Sequence, residues 1–116
     1  MGDRSRIFVM RPLPADSSLG ATATIVQFSS AFCQPCRATR RTLRHVVEDL
    51  VTTVDGIELI EIDADDHLDV TRAWGIESTP TVVFLDARGQ EVLRAGGQPR
   101  TADVLAALAQ VLDANH

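Results

Sequence analysis

Two cysteines are the residues of this chain best suited to carry chemistry. Cys33 and Cys36 are the only cysteines among 116 residues, and Gln34 and Pro35 separate them. They follow the apolar run 24–28 and precede a long helical pattern, so a strand delivers both thiols to the N-terminus of a helix. Unpaired backbone N–H groups and the helix dipole stabilise a thiolate there. The spacing in this setting predicts a dithiol/disulfide redox site.

Two other interpretations of the cysteine pair are weaker. A structural zinc site normally needs four Cys or His ligands. The three histidines, His45, His67 and His116, have no suitable spacing near the pair. An incidental pair would not account for the strand–helix junction at which the cysteines stand. We therefore expect redox chemistry that needs neither a metal nor an organic cofactor.

The composition is that of an ordinary globular protein. Apolar residues make up 45% of the chain and charged residues 23%, which are typical values. A chain of 116 residues can bury a core as one domain, so residues 1–116 are expected to form a single domain. The net charge of −5 argues against general nucleic-acid binding, which needs a basic face. We expect a monomer without bound nucleic acid.

The start of the chain bears on its location. Residues 1–6 contain no apolar stretch that would serve as a signal peptide. No run approaches the roughly 18 apolar residues that span a membrane. As written, the chain is expected in the cytoplasm, whereas loss of an upstream segment would make it an exported or anchored protein. The cysteine pair does not decide between these, because such pairs work in reducing and oxidising compartments alike.

Hydrophobic periodicity predicts strands that alternate with helices. Strands are expected over residues 7–10 (an edge strand), 23–29, 57–62, 81–85 and 91–94. Helices are expected over residues 35–54, from a cap at Asp65 or Asp66 to Trp74, and from a cap at Thr101 onwards. Residues 11–22 predict a loop with at most one helical turn. This order predicts an α/β domain, with a central mixed sheet of about five strands and helices on both faces.

The two long helices have distinct faces. Apolar residues share one side of each: Leu43, Val46, Val47, Leu50 and Val54 in the first, and Val104, Leu105, Leu108, Val111 and Leu112 in the last. Arginines occupy the opposite side of the first helix at Arg37, Arg40, Arg41 and Arg44. A solvated polar face is the favoured interpretation. The alternative is a basic patch that stabilises the Cys33 thiolate and attracts acidic partners.

The acidic residues between 63 and 69 do not form a calcium loop. His67 stands where a ligand would be needed, and no glycine follows it. The cluster predicts helix capping and a solvated turn.

The C-x-P-C motif at the first long helix, together with Ser78-Thr79-Pro80-Thr81 at a later strand, resembles the thioredoxin family. Pro80 follows Cys36 by 44 residues, a separation similar to that in the family. Trp74-Gly75-Ile76, Gly89 and Gly97 stand where thioredoxins have matching residues. The resemblance covers about residues 23–113, and it implies a thioredoxin-like fold. Residues 1–22, the edge strand and loop, lie outside it.

The resemblance implies roles for the site residues. Cys33 would attack a disulfide and Cys36 would resolve the mixed disulfide. Pro80 would be cis and face the disulfide, although only about 5–6% of X–Pro bonds in folded proteins are cis. The Thr79 backbone would pair with a substrate strand, and its hydroxyl could bond a cysteine sulfur. The remaining residues of the substrate-binding surface would be Phe32, Gln34, Pro35 and Gly97.

Two departures from the family concern proton transfer. Many thioredoxins bury an aspartate beneath the resolving cysteine and place a lysine on the neighbouring strand, where this chain has Gln27 and Glu61. Cys36 must lose a proton to resolve the mixed disulfide, and Gln27 has no ionisable group. We expect Glu61, pointing the same way as Leu59 and Asp63, to accept that proton. The alternative is that Glu61 reaches solvent and water takes the proton.

Two functions are therefore weighed. The first is an enzyme, a thiol–disulfide oxidoreductase that reduces or exchanges protein disulfides and passes electrons to or from another protein. The second is a thioredoxin-fold peptide-binding chaperone or adaptor with weak redox activity. Replacement of two family tryptophans by Ser29 and Phe32 favours the second function, whereas retention of both cysteines and Pro80 favours the first.

Overall fold

Four strands form one mixed sheet in the computed structural model, which describes residues 11–115. The strands are β1 (Ala23–Ser29), β2 (Ile57–Asp63), β3 (Thr81–Leu85) and β4 (Glu91–Gly96). Their order in the sheet is β2-β1-β3-β4; β1 and β2 are parallel, and the other neighbours are antiparallel. The predicted α/β fold with a mixed sheet is confirmed. The described part has four strands, and the edge strand predicted over 7–10 lies outside it.

Helices cover both faces of this sheet, as predicted. They are α1 (Gln34–Leu50), α2 (Leu68–Ala73) and α3 (Thr101–Ala114). On one face, Ile25 of β1 belongs to the same buried cluster as Leu43 of α1 and Val104 of α3. On the other face, Phe28 belongs to a cluster with Trp74, which follows α2. Alternate residues of β1 thus pack into two cores, one on each face of the sheet, and every residue of the strand is buried.

The end of α1 differs from the prediction. The helix was expected to reach Val54 but ends at Leu50. The chain then turns, and the amides of Thr53 and Val54 both donate to the Leu50 carbonyl at 2.8 and 2.7 Å. Residues 51–54 are all β-branched, and such side chains lower helix propensity. This run accounts for the early end, although Val54 is still partly buried.

The predicted caps of the other helices are wrong. The N-cap of α2 is His67, which makes no capping hydrogen bond with its side chain. The Asp63 carboxylate instead accepts the amides of Asp65 and Asp66, so the acidic cluster supports a turn before the helix.

In α3, the N-cap is Arg100, and Thr101 is the first helical residue. The Asp103 carboxylate accepts the Arg100 amide at 3.2 Å, as the third residue of a capping box does. The buried face of α3 consists of Val104, Ala107, Leu108 and Val111. Leu105 was expected on that face but is 44% exposed, because it lies just past the edge of the packed stripe.

The segment before β1 forms a loop over the α2 face of the sheet, as predicted. The indole N–H of Trp74 donates to the Pro12 carbonyl at 2.8 Å, and the Arg11 guanidinium lies 4.7 Å from the ring centroid. Leu13 and Leu19 pack against the same core. These contacts help to bury Trp74, which is 4% exposed.

Candidate active site

The two cysteines form a disulfide at the N-terminus of α1. Their Cα atoms are 5.2 Å apart. Cys33 is the N-cap residue, and its sulfur accepts a hydrogen bond from the Cys36 amide at 3.2 Å. Cys33 is half-buried, whereas Cys36 is only 1% exposed. One sulfur is therefore within reach of a partner and is held by a helix N–H group that also favours a thiolate, while the other sulfur is shielded.

The first turn of α1 holds the disulfide in place. Gln34 and Pro35 are the exposed residues between the cysteines, and Pro35 occupies a first-turn position where its missing N–H costs nothing. The buried Thr39 hydroxyl donates to the Pro35 carbonyl at 2.7 Å. A side-chain hydrogen bond from within α1 therefore stabilises its first turn.

Phe32 has an unusual backbone conformation next to Cys33. Its φ is +61°, the single positive value among the non-glycine residues from 11 to 115. Its side chain is 94% exposed. A left-handed residue with a bulky side chain is disfavoured by about 1–2 kcal/mol. The turn from β1 into α1 therefore holds an aromatic ring in solvent, next to Cys33, at a cost in backbone strain.

Gln27 lies in β1 beneath Cys36. It is 1% exposed, and its side-chain amide donates to the Cys36 carbonyl at 2.9 Å. A second hydrogen bond therefore links the centre of β1 to the first turn of α1. The position at which many thioredoxins bury an acid holds a neutral donor here, and that donor satisfies its own hydrogen-bonding need.

Glu61 is paired with an arginine of α1. It lies opposite Gln27 in the parallel register of β1 and β2, so both point to the α1 face. Its carboxylate accepts two hydrogen bonds from Arg40, at 2.7 and 2.5 Å, and one from the Ser29 hydroxyl at 2.9 Å. Its side chain is 30% exposed, and Glu61 as a whole is one of the exposed residues of β2.

This pairing bears on Glu61 as a base. The hydrogen bonds from Arg40 hold the pKa of Glu61 below its usual value, against the opposing effect of burial. A lowered pKa makes the carboxylate a weaker proton acceptor. The role of Glu61 in accepting the Cys36 proton stays a prediction.

The loop before β3 has the predicted cis bond between Thr79 and Pro80. The Thr79 hydroxyl was expected near a cysteine sulfur, but it shares a 2.8 Å hydrogen bond with the Ser30 hydroxyl. The Pro80 carbonyl accepts the amide of Gly97 at 2.8 Å. Gly97 has a φ of +82°, which glycine adopts without strain. Hydrogen bonds thus link the cis-proline loop to the β1–α1 loop on one side and to the residue after β4 on the other.

A cavity of about 370 Å³ opens beside Cys33. We call it the Cys33 cavity. Its polar lining includes Ser29, Cys33, Arg37, Arg40, Glu61 and Asp63. The carboxyl ends of the parallel strands β1 and β2 and the first turns of α1 therefore surround one space.

The arginines of α1 do not behave as one set. Arg40 is paired with Glu61, whereas Arg37, Arg41 and Arg44 are exposed and form no ion pair with any residue from 11 to 115. A solvated face therefore describes three of the four. Within that same range, no cluster of three or more His, Cys, Asp or Glu residues is arranged to hold a metal. No helix there is long and apolar enough to cross a membrane.

Four residues of the site escaped sequence reasoning: Ser29, Ser30, Thr39 and Arg40. Ser29 ends the buried strand β1, and Ser30 follows it, three residues before Cys33; polar side chains where a buried strand leads into a C-x-x-C motif are the signal that could have found them. Arg40 was grouped with the solvated arginines. Its pairing with Glu61, 21 residues later, depends on the packing of α1 over β2.

A disulfide at a helix N-terminus, beside a cis-proline loop and on a mixed sheet covered on both faces, defines a thioredoxin-fold dithiol protein. The family model described as Thioredoxin matches residues 16–110. The chain belongs to the thioredoxin family.

Relatives and solved structures agree with this assignment. Thioredoxin H4-1 of Oryza sativa subsp. japonica is 31% identical over 97 residues, which cover 82% of this chain and 70% of that protein. A thioredoxin of Mycoplasma genitalium is 32% identical over 78 residues, covering 66% and 72% respectively. Against some other plant relatives, the chain spans about half of their length.

The crystal structure of chloroplastic thioredoxin z superposes with a TM-score of 0.68 at 26% identity, over 78% of this chain and 79% of that one. The thioredoxin-like fold is therefore shown by structure as well as by sequence.

Proposed function

We propose that this protein is a thiol–disulfide oxidoreductase that reduces or exchanges disulfides of other proteins. One observation carries the proposal. The sulfur of the half-buried Cys33 accepts a hydrogen bond from a helix N–H group, whereas its disulfide partner Cys36 is buried. This asymmetry supplies one sulfur for attack from outside and one for resolution from inside. Membership in the thioredoxin family supports it.

The chemistry requires only the two sulfurs. In the reduced protein, the Cys33 thiolate attacks a substrate disulfide, a Cys33–substrate bond forms, and one substrate thiolate leaves with the electron pair. The Cys36 thiolate then attacks the Cys33 sulfur and displaces the second substrate thiolate. The substrate gains two electrons, and the protein becomes the Cys33–Cys36 disulfide. A partner protein with a dithiol would return two electrons to the Cys33–Cys36 disulfide, and a partner with a disulfide would take two electrons from the reduced protein.

The proton of Cys36 needs an acceptor in the second step. Gln27, the buried polar side chain bonded to the Cys36 backbone, cannot ionise. Glu61 lies across the register from Gln27 and is the candidate acceptor. Because Arg40 lowers the pKa of Glu61, transfer to water is the competing route. The variant Glu61→Gln separates them: slow resolution with nearly intact Cys33 attack supports Glu61, and unchanged resolution supports water.

A substrate segment would bind across the exposed ends of the site. Phe32 offers an aromatic face, and Thr79 precedes the cis-proline where an extended chain can pair with its backbone. Gln34, Pro35 and Gly97 border the same surface in this proposal. We expect this surface, formed by the C-x-x-C loop and the cis-proline loop, to bind an extended peptide that contains a disulfide.

Insulin disulfide reduction tests the proposed function. The reduced protein with a regenerating reductant should accelerate the precipitation of insulin chains. Cys33→Ser should abolish the acceleration, whereas Cys36→Ser should trap a mixed disulfide. Brief alkylation at neutral pH should label Cys33 before Cys36, because Cys36 is buried. Faster labelling of Cys36, or reduction that survives Cys33→Ser, would contradict the assigned roles.

A second function, a peptide-binding adaptor, is favoured by one observation. Phe32 presents an almost fully exposed ring in a strained backbone conformation, which suits contact with a partner. In an adaptor, peptide binding would persist in the Cys33→Ser/Cys36→Ser double variant, and the wild type would reduce insulin no faster than the reductant alone. The two assays together decide between the functions.

A further inference from the structure

The Cys33 cavity has the size of a small-molecule site. Its volume of about 370 Å³ lies at the lower end of the roughly 300–1,000 Å³ of ligand pockets. Cys33 is one of its lining residues. A molecule seated in it would therefore meet Cys33 and Phe32, but not Thr79 or Pro80, which do not line the cavity.

The charged side chains that line this cavity differ in whether they have a partner within the protein. Arg40 and Glu61 neutralise each other. Asp63 accepts two backbone amides through one carboxylate oxygen. The Arg37 side chain, in contrast, has no hydrogen bond or ion pair with any residue from 11 to 115, and only its backbone amide is bonded, to the Cys33 carbonyl. One guanidinium is thus left to meet a ligand.

Arg37 stands one helical turn after Cys33, so its side chain and the sulfur share a helix face. A guanidinium binds a carboxylate through parallel N–H donors. In a protein disulfide, the cysteine carboxyl groups are consumed in peptide bonds. In disulfides of free amino acids and short peptides, a carboxylate lies within a few bonds of the sulfur.

We propose that the Cys33 cavity binds small disulfides that carry a carboxylate, with Arg37 holding the carboxylate while Cys33 attacks the sulfur. This inference rests on the proposed oxidoreductase function and adds a substrate class to it. Arg37 acts as a binding residue that selects the anionic substrate.

The electron balance follows the same two steps. The Cys33 thiolate attacks one sulfur of the small disulfide, and the other half leaves as a thiolate with the electron pair. Cys36 then displaces the bound half as a second thiolate, and its proton passes to the same acceptor, Glu61 or water, as in the reaction with protein disulfides. The reductant is the Cys33/Cys36 dithiol itself, so one equivalent of reduced protein yields two small thiols.

A pair of chromogenic disulfides tests the proposal in single turnovers. Reduced, desalted protein is mixed with 5,5′-dithiobis(2-nitrobenzoate), which bears two carboxylates, or with neutral 4,4′-dithiodipyridine. The quantity measured is the ratio of the two second-order rate constants. Any effect of Arg37 on the Cys33 thiolate changes both rate constants, so the ratio isolates recognition of the carboxylate.

Arg37→Ala should lower this ratio about fivefold relative to the wild type, which corresponds to the upper range for an exposed ion pair. Arg37→Lys should retain most of the ratio, because it keeps the charge. Arg41→Ala is the matched control: this exposed arginine lies on the same helix but does not line the cavity. Its ratio should stay within about twofold of the wild type.

Two results would overturn the inference: an unchanged ratio in Arg37→Ala, or an equal fall in Arg37→Ala and Arg41→Ala, which would indicate a general basic field. Insulin reduction by the wild type is measured in parallel. If insulin is reduced and the ratio test fails, only the small-disulfide proposal is wrong. If the wild type reduces neither insulin nor the two probes, the proposed oxidoreductase function is wrong as well.

Discussion

Replacing Gln27 by glutamate would place a carboxyl group beneath Cys36. Glutamate has the length of glutamine, so its carboxyl group would occupy the place of an amide that lies 2.9 Å from the Cys36 carbonyl. The position is 1% exposed. A protonated carboxyl can donate to that carbonyl as the amide does, whereas an ionised one cannot. The variant should therefore tolerate the neutral form and be destabilised by the charged form.

The magnitude follows from the burial of this position. An unfolded glutamate has a pKa of about 4.3, and burial raises the folded value by several units. With a rise of about two to three units, at about 1.36 kcal/mol per unit, ionisation costs about 3–4 kcal/mol. Because the folded pKa lies above the unfolded one, the loss is absent below about pH 4 and grows between the two pKa values. Above the folded pKa it is constant.

Urea unfolding of the oxidised protein, from pH 4 to pH 8, measures this loss. The difference in the free energy of unfolding between wild type and Gln27→Glu should rise from about 1 kcal/mol or less to about 4 kcal/mol. Gln34→Glu is the matched control, since Gln34 is the exposed first residue of α1. The ionised carboxylate of this control variant would be neutral or slightly stabilising at the helix N-terminus, by about 0.3–1 kcal/mol.

The same Gln27→Glu variant tests proton transfer. A buried carboxyl with a raised pKa is a better acceptor for the Cys36 proton than a neutral amide. Resolution of a mixed disulfide at Cys33 should therefore be faster in Gln27→Glu than in the wild type near neutral pH. A loss of stability that does not change with pH would refute the reasoning, because it would mean that water reaches position 27.

Three further predictions follow from the exposure and pairing of single residues. Phe32→Gly should be about 1 kcal/mol more stable than Phe32→Ala in urea unfolding, since only the alanine keeps a β-carbon at φ +61°; equal stabilities would contradict the strain. Leu108→Ala should lose about 2–5 kcal/mol and Leu105→Ala under about 1 kcal/mol, because only Leu108 is buried; similar losses would place Leu105 in the core. Glu61→Gln should cost under about 1 kcal/mol at pH 7, as its ion pair is partly exposed. Because the folded pKa of Glu61 is lowered, that difference should vanish as the pH falls below about 4.3 through the folded value; a loss that persists at pH 2 would argue against the ion pair.

The strands and the reactive pair were predictable because their signals are local. The apolar runs of β1 and β3 and the spacing of Cys33 and Cys36 each lie within a few residues of sequence. Helix boundaries were less predictable. The β-branched run after Leu50 competes with a continuing apolar pattern, and the caps of α2 and α3 depend on which neighbouring side chain reaches the free amides.

The sequence by itself predicted the fold class, the cysteine pair at a helix N-terminus and the cis bond before Pro80, because the types and spacing of the residues, and the family resemblance that they carry, are enough to indicate them. The tertiary structure decided which side chains meet. Gln27 contacts Cys36, Glu61 contacts Arg40, and Ser30 contacts Thr79. These pairs come from different elements, and their geometry depends on how α1 and the cis-proline loop pack on the sheet. Local periodicity does not contain that information.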